Sequence, residues 1–287
     1  GVQLGADIDG EASDDQSGNS VSLSSDGSRV AIGARNNDGV SGSNSGHVRI
    51  YDYNGSAWVQ VGADIDGEAA SDLSGRSVSL SSDGSRVAIG ATLNDDGPGS
   101  TSGHVRIYDY NGSAWVQVGA DIDGEATGDQ SGRSVSLSSD GSRVAIGATL
   151  NDDGPGSTSG HVRIYDYNGS AWVQVGADID GEASDDQSGN SVSLSSDGSR
   201  VAIGATGNDG VSGSNSGHVR IYNYNGSAWV QVGADIDGEA TSDLSGWSVS
   251  LSSDGSRVAI GANFNDGNGY NSGHVRIYNY NGSAWVQ

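Results

Sequence analysis

A unit of 57 residues recurs five times in this chain with almost no change. The phrase GADIDGEA begins at Gly5, Gly62, Gly119, Gly176 and Gly233, and SLSSDGSRVAIGA and SGHVRIY recur in every unit. A fixed period of this size is the mark of a solenoid, a propeller or an array, in which one unit cannot bury its apolar face alone and must stack on the next. Most residues are then architectural. Function has to lie in what differs between units or in what five copies do together.

Each unit reads as β-structure. In the first, Ser20–Ser24 alternates polar and apolar, the period of a half-buried strand. Ser25-Asp26-Gly27-Ser28 is a tight turn. Strands are expected at Arg29–Ala34 and His47–Tyr53, and a longer fourth one at Ala57–Ile65. Asn54-Gly55 between the last two predicts a hairpin turn of type I′, with positive φ at both residues. Nowhere do apolar residues recur at helical spacing. Four short antiparallel strands joined as a meander describe a propeller blade. The fold class expected is therefore all-β, a propeller of five four-stranded blades. Residues 1–287 are read as a single repeat domain, with units at about 9–65, 66–122, 123–179, 180–236, and 237–287 together with 1–8.

The chain opens and stops inside the fourth strand. Gly1–Ile8 and Ser283–Gln287 are two fragments of one element. The favoured expectation is a ring closed through that divided strand, which would remove exposed sheet edges. A head-to-tail contact between copies, able to grow a fibre, and a window cut from a longer array are the alternatives. There is no Met, even at position 1, which points to a processed or trimmed chain with any signal peptide removed.

The stretch SGxSVSLSSDGSRVAIGA, followed by SGHVRIY and a late Trp, resembles the FG-GAP repeat of integrin-α-type β-propellers and their microbial relatives. The resemblance spans all five units, with three departures. Ser replaces the Phe of "FG" at Ser17, Ser74, Ser131, Ser188 and Ser245. The Pro of "GAP" is replaced by Arg35, Thr92, Thr149, Thr206 and Asn263. A short SSDG turn stands where many members insert a calcium loop, so the family's calcium sites do not carry over. The propellers it resembles have seven blades, whereas five units are present here. The resemblance implies an extracellular or cell-surface repeat protein.

Charge narrows the partners. With 13 Arg, no Lys and 37 acidic residues the net charge is −24. Such a surface repels nucleic acid and anionic membranes, and no apolar run is long enough to insert into a bilayer. Cys is absent, so neither disulfides nor zinc–thiolate sites arise. The connector before the first strand is acidic and Gly-containing, the composition calcium uses. Asp7, Asp9, Glu11 and Asp14 are its candidate ligands, against the alternative of a solvated turn with local hydrogen bonds. No other cofactor is implied. The five His, one per unit at His47, His104, His161, His218 and His274, are read as structural, since successive units set them a blade apart.

Variation gathers at one end of the expected blades. The residue after Ser-Gly runs Asn19, Arg76, Arg133, Asn190, Trp247, and the fifth unit alone adds Phe264 and Tyr270. Exposed aromatics on loops suggest a contact surface. Arg76, Arg133, Trp247, Phe264 and Tyr270 are thus candidates for contacting a glycan or another protomer, with neutral drift as the alternative. At the opposite end Asn54, Asn111, Asn168, Asn225 and Asn281 each open Asn-Gly-Ser. That is an N-glycosylation acceptor pattern and equally the chemistry of a turn. No nucleophile elbow or phosphate loop is present, and a catalytic centre would break the repeat with unique polar residues. The expected function is non-catalytic: an acidic structural or adhesive tandem-repeat glycoprotein of the cell surface that self-associates head to tail or face to face into a filament. A carbohydrate-binding, lectin-like propeller and an engineered consensus scaffold are the competing readings.

Overall fold

A computed structural model describes residues 1–287. The first unit forms β1 (Ser17–Leu23), β2 (Arg29–Ala34), β3 (His47–Tyr53), β4 (Trp58–Gln60) and β5 (Ile65–Asp66). The pattern recurs as β6 (Ser74–Leu80), β7 (Arg86–Ala91), β8 (His104–Tyr110), β9 (Trp115–Gln117) and β10 (Ile122–Asp123), then β11 (Ser131–Leu137), β12 (Arg143–Ala148), β13 (His161–Tyr167), β14 (Trp172–Gln174) and β15 (Ile179–Asp180). It continues as β16 (Ser188–Leu194), β17 (Arg200–Ala205), β18 (His218–Tyr224), β19 (Trp229–Gln231) and β20 (Ile236–Asp237), and ends with β21 (Ser245–Leu251), β22 (Arg257–Ala262), β23 (His274–Tyr280) and β24 (Trp285–Val286). There are no helices. Each repeat is an antiparallel meander, in the order β1-β2-β3-β4 for the first, with β5 on the same third strand. These are β-propeller blades, five in number.

Three local expectations need correction. The fourth strand is broken in two, because Gly62 takes φ +76° and turns the chain between Gln60 and Ile65. Both pieces still pair with β3, so the blade remains four strands wide. The first strand starts three residues early, at Ser17, with Gly18 at φ +86° carrying an irregularity between Ser17 and Ser20. The Asn54-Gly55 turn is not type I′, since only Gly55 has positive φ. Asn54 Oδ1 instead accepts from the Ser56 and Ala57 amides and from the Ser56 hydroxyl, an Asx arrangement that holds the loop with one side chain.

The chain forms two compact units, Gly1–Gly132 with Asn168–Trp172, and Arg133–Tyr167 with Val173–Gln287. In both, the core lies between successive repeats rather than inside one. In the first unit Val48, Ile50 and Ile65 pack on Val78, Leu80, Val87 and Ile89 of the next repeat. In the second, Val162, Ile164 and Ile179 meet Val192, Leu194, Val201 and Ile203, and Val219, Ile221 and Ile236 meet Val258 and Ile260. Each such side chain contributes about 1.5–3 kcal/mol on burial.

Polar bonds fix the stacking. The Ser25 amide donates to the Ser82 carbonyl, the Ser20 hydroxyl to the Gly75 carbonyl, and the Leu80 amide to the Ser22 hydroxyl. Arg29 grips Asp52 with two hydrogen bonds of 2.6 and 2.7 Å, donates to the Gly84 carbonyl one repeat on, and lies over the Tyr110 ring. Gly33 is required here, because a Cβ would overlap the Gly75 carbonyl. Gly90, Gly147 and Gly204 face Gly132, Gly189 and Gly246 in the same way.

The strand shared between the two termini is not formed. The fifth sheet takes all four of its strands from Ser245–Val286, and residues 1–8 form none. Residues 1–8 serve the first repeat instead. The Leu4 carbonyl accepts from Trp58 Nε1 at 3.0 Å, just as the Val61 carbonyl accepts from Trp115. The consequence shows in burial. Val21 and Leu23 are 64% and 60% exposed, where Val78 and Leu80 are 8% and 7%. Val275 and Ile277 are 65% and 54% exposed, where Val219 and Ile221 are 0% and 2%.

Candidate functional site

The histidine at the start of each third strand lies beside acidic side chains. Strand pairing sets His47 opposite Asp66 and Ala34, where its ring is fully buried. The connector before β1 brings Glu11 to it, and the turn after β4 brings Asp64. Glu11 Oε2 and Asp64 Oδ2 each lie 3.8 Å from His47 Nδ1. The same trio forms from Glu68, His104 and Asp121, again at 3.8 Å, and from Glu182, His218 and Asp235 at 3.9 Å. In the fifth repeat Glu239 Oε2 stands 3.5 Å from His274 Nδ1.

In each trio the second oxygen of both carboxylates is held from behind. Asp121 Oδ1 accepts from Gln117 Nε2 at 2.5 Å, and Glu68 Oε1 lies 3.4 Å from Arg106 Nη1. Gln60 and Arg49 do this in the first repeat, Gln231 and Arg220 in the fourth. Arg106 is itself fixed, donating through Nη2 to the Asp66 carbonyl and lying against Tyr108. One oxygen of each acid is thereby left turned towards the imidazole.

Burial, followed by the charge of Arg106, pushes His104 down to about 4, and burial with Arg220 does the same to His218. Both imidazoles are neutral at neutral pH and so form no ion pair with the acids beside them. Burial also raises Glu68 and Glu182. Neither nitrogen of His104 has a hydrogen-bond partner.

Of the four acids expected to hold calcium, Glu11 enters such a trio. Asp7 Oδ1 accepts from Gln3, the Asp9 carbonyl accepts from Arg49, and Asp14 is exposed at φ +68°. Asp15, next to them, is buried and accepts from the Ala12 amide and the Asn37 amide group. The residues after Ser-Gly form a ladder from repeat to repeat. Asn19 donates to the Arg76 carbonyl, Arg133 to the Asn190 side chain, and Asn190 to the Trp247 carbonyl. Trp247, Phe264 and Tyr270 are exposed, Tyr270 at 90%. The five Asn-Gly-Ser asparagines are exposed at their turns.

A signal for the trios exists in the sequence, as a Glu, a His 36 residues later and an Asp 17 beyond that in successive repeats. It escapes a linear reading because no two of the three are near in sequence.

A search of curated proteins finds no match. Among solved structures the chain is similar to the Kuenenia stuttgartiensis hydrazine synthase, with TM-score 0.57, 15% identity, and 91% of this chain and 71% of that one covered. It is also similar to a Bacteroides uniformis protein described as a "putative 6-phosphogluconolactonase", with TM-score 0.53, 9% identity, and coverage of 94% and 83%. At these identities the likeness is one of fold alone. Family comparison matches the FG-GAP repeat at residues 121–165 and 235–278. FG-GAP repeats are typical of extracellular or surface proteins. The strand pattern of those two stretches runs through all five units and fits an FG-GAP-type propeller repeat.

Proposed function

We propose that this chain is a non-catalytic, extracellular or cell-surface repeat protein that builds structure by joining copies head to tail. The observation that carries the reading is the pair of apolar end faces. Val275 and Ile277 belong to the surface that earlier repeats cover with the next repeat, and Val21 and Leu23 belong to the surface that does the covering. The two are the complementary halves of a contact that recurs between successive repeats, and a contact between unlike faces can pass from copy to copy. The occupant of each face is a second copy of the chain. The acidic surface keeps such strings apart sideways, because like charges repel.

Two variants test this. Val21→Glu blocks one face and Ile277→Glu the other. Each alone should sediment as a monomer, and an equimolar mixture should form dimers through the two intact faces. Wild-type protein should show strings by electron microscopy. Wild-type protein that stays monomeric at high micromolar concentration would overturn the proposal.

The exposed Trp247, Phe264 and Tyr270 support a second reading, a lectin-like face that stacks on sugar rings. It requires saturable glycan binding that is lost in Trp247→Ala.

A further inference from the structure

The geometry of the Glu–His–Asp trios is that of an open ligand set. We propose that each is a binding site for a divalent first-row transition cation, Zn²⁺ foremost, held by the His Nδ1, one Glu oxygen and one Asp oxygen. The ligand atoms within each trio all lie within 4.8 Å of one another. With sides of 3.8 or 3.9 Å to the imidazole, a point equidistant from all three is no more than about 2.5 Å from each, a few tenths from the distances zinc takes to N and O ligands. At 3.8 Å the groups are too far apart to hydrogen-bond one another. The spacing suits atoms that share a central partner.

Three further features favour an ion. The His104 ring is fully buried with its Nδ1 unpartnered and aimed at two carboxylate oxygens. An unpaired buried polar atom is unfavourable, and a metal bond would remove that cost. The acids are oriented from behind by Gln117 and Arg106, as the outer partners of metal ligands are. Glu68 and Asp121 side chains are 34% and 28% exposed, which leaves a way in from solvent and room for water on the ion. An imidazole donor selects against calcium and magnesium, which take oxygen, and for zinc and its neighbours. Two carboxylates beside one pinned guanidinium leave the site net negative, as a divalent cation requires. These ligands differ from the run of acids within one connector that the sequence offered for calcium, of which only Glu11 takes part.

The test uses the whole chain after chelator treatment, titrated with ZnCl₂ in excess CaCl₂ and followed by the ¹⁵N resonances of the imidazoles. Zinc should shift Nδ1 of His47, His104 and His218 in a saturable way. In Asp121→Asn the His104 shift should need at least about tenfold more zinc, while His47 and His218 respond as before and report an intact fold. Two outcomes would overturn the proposal. One is zinc uptake with no imidazole shift, which is adsorption to an acidic surface. The other is a His104 shift undiminished in Asp121→Asn, which removes the carboxylate from the site.

Discussion

Gly261→Ala separates folding from assembly. In the repeats that have a successor, the equivalent glycine sits under a carbonyl of the next repeat, as Gly204 sits under Gly246 and Gly33 under Gly75. At Gly261 an added Cβ would meet only its own strand partner's Ser248 Oγ, at 2.5 Å. That hydroxyl can turn to another rotamer, so the chain itself should keep its stability to within about 0.5 kcal/mol. If copies join through these faces, the carbonyl pressed on Gly261 is that of Gly18 in a second copy. Overpacking of a close backbone contact costs about 1–3 kcal/mol. At about 1.4 kcal/mol per factor of ten, the dissociation constant of the joint should rise about 5- to 150-fold. Sedimentation velocity over a concentration series reads the joint, and a urea melt of the same samples reads the fold. Self-association unchanged in Gly261→Ala would refute the head-to-tail geometry. A large fall in urea midpoint would refute the claim that this face is open within one chain.

The same substitution one repeat earlier should behave oppositely. Gly204→Ala is expected to lower the stability of the chain by about 1–3 kcal/mol, seen as an earlier thermal transition, because its clash lies inside the chain. Trp229→Phe removes a 2.8 Å hydrogen bond to the Val175 carbonyl and a partner of Arg143. About 1–2 kcal/mol should be lost in a urea melt, against no more than about 0.5 for Trp247→Phe. Acid should weaken the fold through its buried histidines. His104 and His218 are held at about 4, below the ordinary 6.5, so the unfolded chain binds their protons first. Their contribution is complete above about pH 6.5 and is lost as pH falls to about 4, up to about 3 kcal/mol each. Raised Glu68 and Glu182 work the other way and offset part of it. A urea midpoint no lower at pH 4.5 than at pH 7.5 would contradict this account.

The strands that alternate cleanly are legible in the sequence. Arg29–Ala34 and His47–Tyr53 fall at their expected bounds, since a strand buried through two faces leaves little freedom in where it starts and stops. The start of the first strand at Ser17 is hidden because the alternation begins only at Ser20, and only the packing of Gly75 on Gly33 shows why the pairing already begins at the preceding Ser-Gly. Gly62 reads as strand interior, and nothing local reveals that Trp115 of the next repeat presses on it. The trios fail to show for a related reason. Periodicity ties a residue to its copy 57 positions on, whereas His104 meets Glu68 and Asp121, which stand at no multiple of that spacing. The repeat makes these residues look like scaffold, and only the sheet register brings them together.

The Gly–carbonyl contact and the serine bonds between repeats also bear on how such a gene can change. The surface that repeat three offers to repeat four is the same as the one repeat four offers to repeat five. Excising residues 180–236 would therefore bring Gly147 under Gly246, in place of Gly189, while Arg133 would face Trp247 in place of Asn190. Insertion of one more unit acts in the same way. Gain or loss of whole units would then yield chains of other lengths with the same stacking contacts. Length becomes a trait adjustable in steps of one repeat, with the apolar core and the glycine–carbonyl contact of each interior surface kept.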